Sequence, residues 1–253
     1  MLVRDLVRII DEMAPFSSAE EFDNVGLLVG DENAEIKGIM VALDATGAVL
    51  DEMKEIGANV LITHHPLLFS PLSRLLETDY ESGLIAQMLR QNCHFIAAHT
   101  NFDIAPGGTN DALVQLLLLK DACGEGTLRV GKLLHPMRAD ALQKFLKEKL
   151  RAPVVLMGDA KKEIRTLGLS SGSASDEWGA AYAAGADAFL TGEVKHHHAL
   201  EATARGMTLF QGGHFATENP GMDILASALQ KALNKVKCNV AVYRAKTDSY
   251  FVQ

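Results

Sequence analysis

His64 and His65 follow the apolar run 59–63, and His99 with Asp103 follows a second run, 94–98. Far along the chain His214 and Glu218 repeat the spacing of histidine and acid four positions apart, again after a strand-like run. Adjacent histidines in an extended chain point to opposite sides, so they do not easily chelate a single ion, but in the turn after a strand they can serve two neighbouring ions. Two cations roughly 3.5–4 Å apart repel, and a shared carboxylate screens them; Asp103 is the natural bridge. His214 and Glu218 add one imidazole and one carboxylate, and the mixed nitrogen and oxygen donors suit Zn, Mn, Fe or Ni. The expected cofactor is therefore two divalent metal ions per chain, held by His64, His65, Asp103, His214 and Glu218. The competing reading, in which Asp103 and Glu218 only cap a loop or the first turn of a helix, uses the same residues.

Other polar residues stand close to these in sequence. His99 is either a group that hydrogen-bonds a ligating carboxylate or a metal-bound water, or a structural histidine. Glu193 follows another strand end and is a candidate general base or substrate contact. Asp44 ends a strand as well and is a candidate for orienting the site, whereas Asp23 and Asn24, beside Gly26, read first as turn residues. His196, His197 and His198 invite a metal reading, but a helix over 194–204 spreads them around its surface. No G-x-x-x-x-G-K-[ST] and no strand-linked G-x-G-x-x-G is present, so Gly107 and Gly108 read as a tight turn rather than a phosphate cradle.

The elements that must position these residues alternate. Leu2, Leu6, Ile9, Ile10 and Met13 recur at helical spacing and stop before Pro15. Strands are predicted at 26–29, 39–43, 59–63 and 94–98, with helices at 48–56, 82–91 and 110–119, and the stretch 99–111 is predicted as a loop. The Gly-rich stretch 121–131 is the expected domain junction, after which a helix at 139–149, strands at 154–157 and 166–170, a helix at 177–184 and a strand at 188–191 follow. Histidines thus fall at the carboxyl ends of strands, where open α/β sheets bind ligands.

EIGANVLITHHPLL and AAGADAFLTGEVKHHHAL share Gly-Ala, a short apolar strand, Thr and then histidines; Gly57 matches Gly185 and Thr63 matches Thr191. FIAAHTNFDIAPGGTND likewise resembles LFQGGHFATENPGMD. The expected fold is therefore α/β, with two related α/β/α units arising by internal duplication and the metal site in the cleft between them. The expected boundaries are 1–124 and 125–253, with 215–253 packing back on the first unit.

Composition limits the partners. A net charge of −8 and a pI near 5.6 argue against nonspecific nucleic-acid binding. Cys93, Cys123 and Cys238 are widely spaced and form no C-x-x-C pair, so they read as reduced thiols. Neither a signal peptide nor an apolar run long enough for a membrane span is visible, and a cytoplasmic protein is expected.

EEFDNVGLLVG, VALDAT, ITHHPLLF, AHTNFDIAPGGTND, TGEVKHHHALEA and GHFATENPGM together resemble the Nif-three-like family, also known as GTP cyclohydrolase 1 type 2 homologues. The resemblance runs from about Glu20 to Tyr243, in the short form without the domain that longer members insert near the middle. It implies two linked α/β units, a dinuclear metal centre and a toroidal homohexamer with sites facing its interior. The family's metal ligands map onto His64, His65, Asp103, His214 and Glu218, with none substituted. The chemistry points to a metal-dependent hydrolase of a small molecule, with Glu193 or His99 moving protons; the resemblance implies a nucleotide such as GTP, by ring opening, and a phosphate ester is the other substrate reading. The alternative is a noncatalytic metal-binding, metal-delivery or scaffold protein.

Overall fold

The computed structural model describes residues 1–247. The chain divides into two compact units, Met1–Ala105 together with the chain from Met222 on, and Pro106–Gly221. The elements of the first stretch are α1 (Val3–Met13), β1 (Gly26–Val29), β2 (Ile39–Ala42), α2 (Gly47–Glu55), β3 (Val60–Thr63), α3 (Tyr80–Arg90), β4 (His94–Ala97) and a single turn, α4 (Thr100–Ile104). The second unit holds α5 (Thr109–Leu116), β5 (Lys120–Cys123), β6 (Arg129–Arg138), α6 (Ala139–Leu150), β7 (Val155–Met157), β8 (Glu163–Leu169), α7 (Trp178–Ala183), β9 (Ala188–Thr191), α8 (His196–Ala204) and β10 (Thr208–Gln211). Helix α9 (His214–Lys235) begins in the second unit and finishes in the first, where β11 (Val242–Arg244) follows.

Local sequence accounts for the elements that carry histidine. In α2 the Thr46 hydroxyl accepts the Val49 N–H at 3.2 Å, satisfying one of the open donors of the first turn. Gly57, at φ +73, supplies the left-handed residue that ends α2 and delivers the chain into β3. Gly185, at φ +84, does the same between α7 and β9. Strands β3 (VLIT) and β9 (AFLT) are buried at every position, as expected of central parallel strands covered on both faces.

The sheet of the first unit runs β1-β4-β3-β2-β11, and that of the second β5-β6-β8-β9-β10-β7. β4, β3, β2 and β11 are mutually parallel, with β1 antiparallel at the edge. β8, β9 and β10 are parallel, with β7 antiparallel beyond β10. The order β1-β4-β3-β2 in one sheet is thus matched by β7-β10-β9-β8 in the other. Met40, Leu50, Met53, Leu61, Met88 and Phe95 form the core of the first unit. In the second, Leu190 and Phe210 pack with Leu142, Leu146 and Ile164, while their neighbours Phe189 and Leu209 pack with Trp178 and Met207. Successive strand residues face opposite ways, so this sheet is covered on both sides.

Two stretches differ from the sequence expectation. The Gly-rich 121–131, expected as a domain junction, carries part of the antiparallel pair β5/β6, with Cys123 opposite Val130. Gly124 permits the tight approach, since a Cβ there would meet the Leu128 carbonyl. The stretch 99–111 is not all loop: Thr100–Ile104 is helical, because Phe102 and Asn101 turn inward and are buried, and the helix ends at Ile104, with Ala105 extended ahead of Pro106. Among the described residues no helix is long and apolar enough to cross a membrane.

Candidate metal-binding site

In the first unit the imidazoles gather at the carboxyl ends of β3 and β4. Ring nitrogens of His64, His65 and His99 lie within 4.8 Å of one another. Ring centroids are 5.0 Å apart for His64 and His65, 5.0 Å for His64 and His99, and 5.6 Å for His65 and His99. Each ring is held from behind by Nδ1. His64 Nδ1 donates to the Ala98 carbonyl at 3.0 Å, His65 Nδ1 meets Asp44 Oδ1 at 2.7 Å, and His99 Nδ1 meets Asp23 Oδ1 at 2.9 Å. Asp44 reaches His65 because β2 and β3 are parallel with Ala42 opposite Thr63, which carries the next residues of both strands side by side.

Asp23 also accepts the Thr100 backbone N–H at 3.0 Å and the Thr100 hydroxyl. Burial alone would raise its carboxyl, but the hydrogen bonds from His99 and Thr100 and the charge of His99 outweigh this and hold it well below the usual carboxylate range. Asp103 is in the first turn of α4, with Oδ1 3.5 Å from His64 Nε2.

In the second unit α9 opens on His214, and Glu218 lies one turn on, on the same face. His214 Nδ1 meets Glu193 Oε1 at 3.0 Å, and His214 Nε2 meets Glu218 Oε2 at 3.2 Å. Glu218 is buried at 4% exposure under the loop after β8. Gly172 in that loop has φ +64, and a Cβ there would come within 2.1 Å of Glu218 Oε1. Its backbone is fixed by Thr217 Oγ1, which accepts the Gly172 N–H at 3.1 Å, and by Thr191 Oγ1, which donates to the Gly172 carbonyl at 3.2 Å.

These donor sets suit a cation. A carbonyl oxygen only accepts, so His64 carries its hydrogen on Nδ1 and, in the neutral ring, a lone pair on Nε2 directed at a carboxylate. With side-chain exposures of 0% and 12% for His64 and Asp103, that pair needs a proton or a cation between its members. His214 poses the same demand, because both of its nitrogens face carboxylate oxygens and a neutral imidazole has one N–H. Carboxylates or a carbonyl behind the Nδ1 atoms, with Nε2 left forward, are the arrangement that orients metal-ligating histidines.

The structure therefore brings His64, His65, His99 and Asp103 together in one unit and His214, Glu218 and Glu193 in the other. Glu193 stands behind His214. The His196–His198 cluster is dispersed on α8: His196 and His197 are exposed, His197 meets His198 edge to face at 4.2 Å, and His198 Nδ1 meets Ser175 Oγ at 2.9 Å. Asp23, whose Asp-Asn-x-Gly context suggests a turn, holds His99 across 76 positions of sequence, and only the tertiary structure reveals that. Gly172 and Thr217 also escape a sequence reading; the small-residue run SSGSASD at a strand end is the one available signal.

The family model for Duf34/NIF3 (NGG1p interacting factor 3) matches residues 1–249. A relative from Clostridium acetobutylicum bearing the name GTP cyclohydrolase 1 type 2 homolog is 34% identical over 254 residues, covering 95% of this chain and 94% of its own. One of the same name from Clostridium perfringens is 32% identical over 244 residues, covering 92% and 93%. The crystal structure of Staphylococcus aureus protein SA1388 superposes with a TM-score of 0.95 at 28% identity, over 100% of this chain and 99% of that one. With a family match along nearly all of its length and a relative above 30% identity, the chain belongs to the Duf34/NIF3 family.

Proposed function

We propose that the chain is a divalent-metal-dependent hydrolase that binds two ions through His64, His65 and Asp103 of the first unit and His214 and Glu218 of the second. The observation that carries this reading is that His64 and His214 each meet a largely buried carboxylate through Nε2 while Nδ1 is already committed. Zn, Fe, Mn and Ni all suit such donors. When bound, divalent ions supply Lewis acidity and a nucleophilic water at neutral pH.

The chain's own residues supply orientation and proton handling. Asp44, the Ala98 carbonyl and Glu193 hold His65, His64 and His214 in the tautomer that leaves Nε2 forward. His99, held by Asp23 at Nδ1, presents Nε2 beside His64 and His65 and is the group that gives or takes a proton there. Substrates of the class are small electrophiles open to attack by water: a nucleotide such as GTP, as the relatives' names suggest, or a phosphate ester. The matched strand orders of the two sheets support an origin by internal duplication, and a ring-shaped homohexamer and a cytoplasmic location belong to the same proposal.

Metal content per chain, measured by mass spectrometry of the purified protein, is expected to fall sharply in His65→Ala and Glu218→Ala. Unchanged stoichiometry in both variants sinks the ligand assignment. Metal-loaded protein is then screened against nucleotides and phosphate esters beside Asp103→Ala. Turnover that persists undiminished in that variant refutes the hydrolytic role, and metal binding without turnover of any of them favours metal storage or delivery instead.

A further inference from the structure

The loops 20–25 and 66–79 of the first unit each hold an aromatic ring out to solvent. Phe22 is 64% exposed and Phe69 48%. Their centroids are 6.2 Å apart with the planes tilted by 54°, so the rings touch and still offer open faces. Phe69 in turn meets His99 edge to face at 6.3 Å and 79°. His99 is one of the three gathered imidazoles, so the aromatic pair continues directly from them.

Neither ring is exposed for want of an anchored loop. Asn24 Nδ2 donates to the Leu68 carbonyl at 2.6 Å, tying one loop to the other. Asp23, next to Phe22, is fixed by His99 and Thr100. Leu67, Leu68 and Leu72 pack on the core, while Phe69 between them faces outward. Leaving a phenyl ring in water forgoes about 25 cal/mol for each Å² that burial would cover. An anchored, exposed aromatic pair beside a cluster of imidazoles has the chemistry of a stacking surface, because every planar unsaturated ring has a π face for it to meet.

We propose that Phe22 and Phe69 form a platform that binds a planar heteroaromatic ring and so places the rest of the ligand beside His99. This deepens the metal-dependent reading above by selecting ring-bearing ligands over simple phosphate esters and naming the residues that hold the ring, and rests on that reading only for what happens to the ligand after binding.

The test compares guanosine 5′-monophosphate with ribose 5-phosphate, which shares its phosphate and sugar but carries a hydroxyl in place of the base. Dissociation constants are measured by calorimetry on the metal-loaded full chain. Ring binding predicts a preference for the nucleotide of at least about 10-fold, within the range that stacking one base on aromatic side chains provides. Phe22→Leu and Phe69→Leu each reduce that ratio toward one, and Phe69→Trp keeps it. Circular dichroism and light scattering of each variant confirm folding and assembly. Equal affinities for the two ligands in wild type, no detectable nucleotide binding, or a ratio unchanged in both leucine variants overturns the platform. A change of oligomeric state in the leucine variants with the ratio intact also overturns it, identifying the rings as a contact between copies. Failure of the metal reading looks different: metal content stays unchanged in His65→Ala and Glu218→Ala, whatever the ratio.

Discussion

Gly172→Ala separates backbone strain from the chemistry of Glu218. The native φ of +64 is left-handed, which for a residue with a Cβ costs roughly 1–2 kcal/mol. The new Cβ would also stand 2.1 Å from Glu218 Oε1 and 3.5 Å from His214 Nε2. Carbon and oxygen not bonded to each other do not approach so closely, so the Glu218 carboxylate must move by about 1 Å, from a position buried at 4% exposure. Loop movement is opposed by the Thr191 and Thr217 hydroxyls on either side of the Gly172 peptide. The strain alone lowers the thermal midpoint by roughly 2–8 °C for a chain of this size. Displacing the carboxylate adds a loss of metal affinity that strain alone does not cause. Gly179→Ala is the control: it lies in α7 with nothing within 4 Å of the added Cβ, so it is expected to be neutral or to stabilise by up to about 1 kcal/mol. Differential scanning fluorimetry with and without added metal reads both quantities. A Gly172→Ala protein with wild-type midpoint and wild-type metal affinity refutes the packing argument for Glu218.

Asp44→Ala is expected to weaken metal binding by about 10- to 100-fold while leaving the fold intact, because it frees the His65 ring without removing a ligand; competition with a chelating dye measures it, and unchanged affinity refutes the orienting role. The Asp23 carboxyl is depressed in the folded chain, so its contribution is complete above the ordinary carboxylate value of about 3.9 and lost as acid titrates it below that. Urea unfolding should therefore show Asp23→Asn less stable than wild type by a margin that is level between pH 7 and 5 and shrinks below about pH 4; a margin that already shrinks between pH 7 and 5 contradicts the depressed carboxyl. Burial pushes the Cys93 thiol up to about 12, whereas Cys123 is exposed. At pH 8 a disulfide reagent should label Cys123 fastest and Cys93 only after unfolding, and rapid labelling of Cys93 in the native protein contradicts its burial.

Sequence pattern was informative where one local rule dominates. The runs VLIT and AFLT are strands because they are short, apolar and introduced by a helix-ending glycine, and histidines after them inherit the carboxyl-end position. The spacing of His214 and Glu218 becomes one helical turn in α9. Local rules failed where tertiary contacts decide. Pro220 and Gly221 normally interrupt a helix, yet α9 runs through both, and Gly221 is required there because a Cβ would meet Thr109 Cγ2 at 2.5 Å. The Gly-rich hairpin β5/β6 has exposed residues throughout β5, so no apolar run marks it. The partnership of Asp23 with His99 joins distant loops and leaves no periodic trace in the sequence.

Strand β11 pairs in parallel with β2, matching Val242 to Ile39 and Arg244 to Val41, and the Ala245 N–H donates to the Val41 carbonyl at 2.9 Å. On a ribosome, β2 is therefore made some two hundred residues before the strand that covers its edge. Until then IMVA, buried at every position in the finished sheet, offers open backbone groups to any passing strand. The contiguous unit Pro106–Gly221 can fold as it emerges, whereas the unit that holds the three gathered imidazoles must wait for β11. Synthesis thus delays completion of the first sheet until β11 has emerged, and chains stopped after α9 are expected to be captured by chaperones or to aggregate through β2.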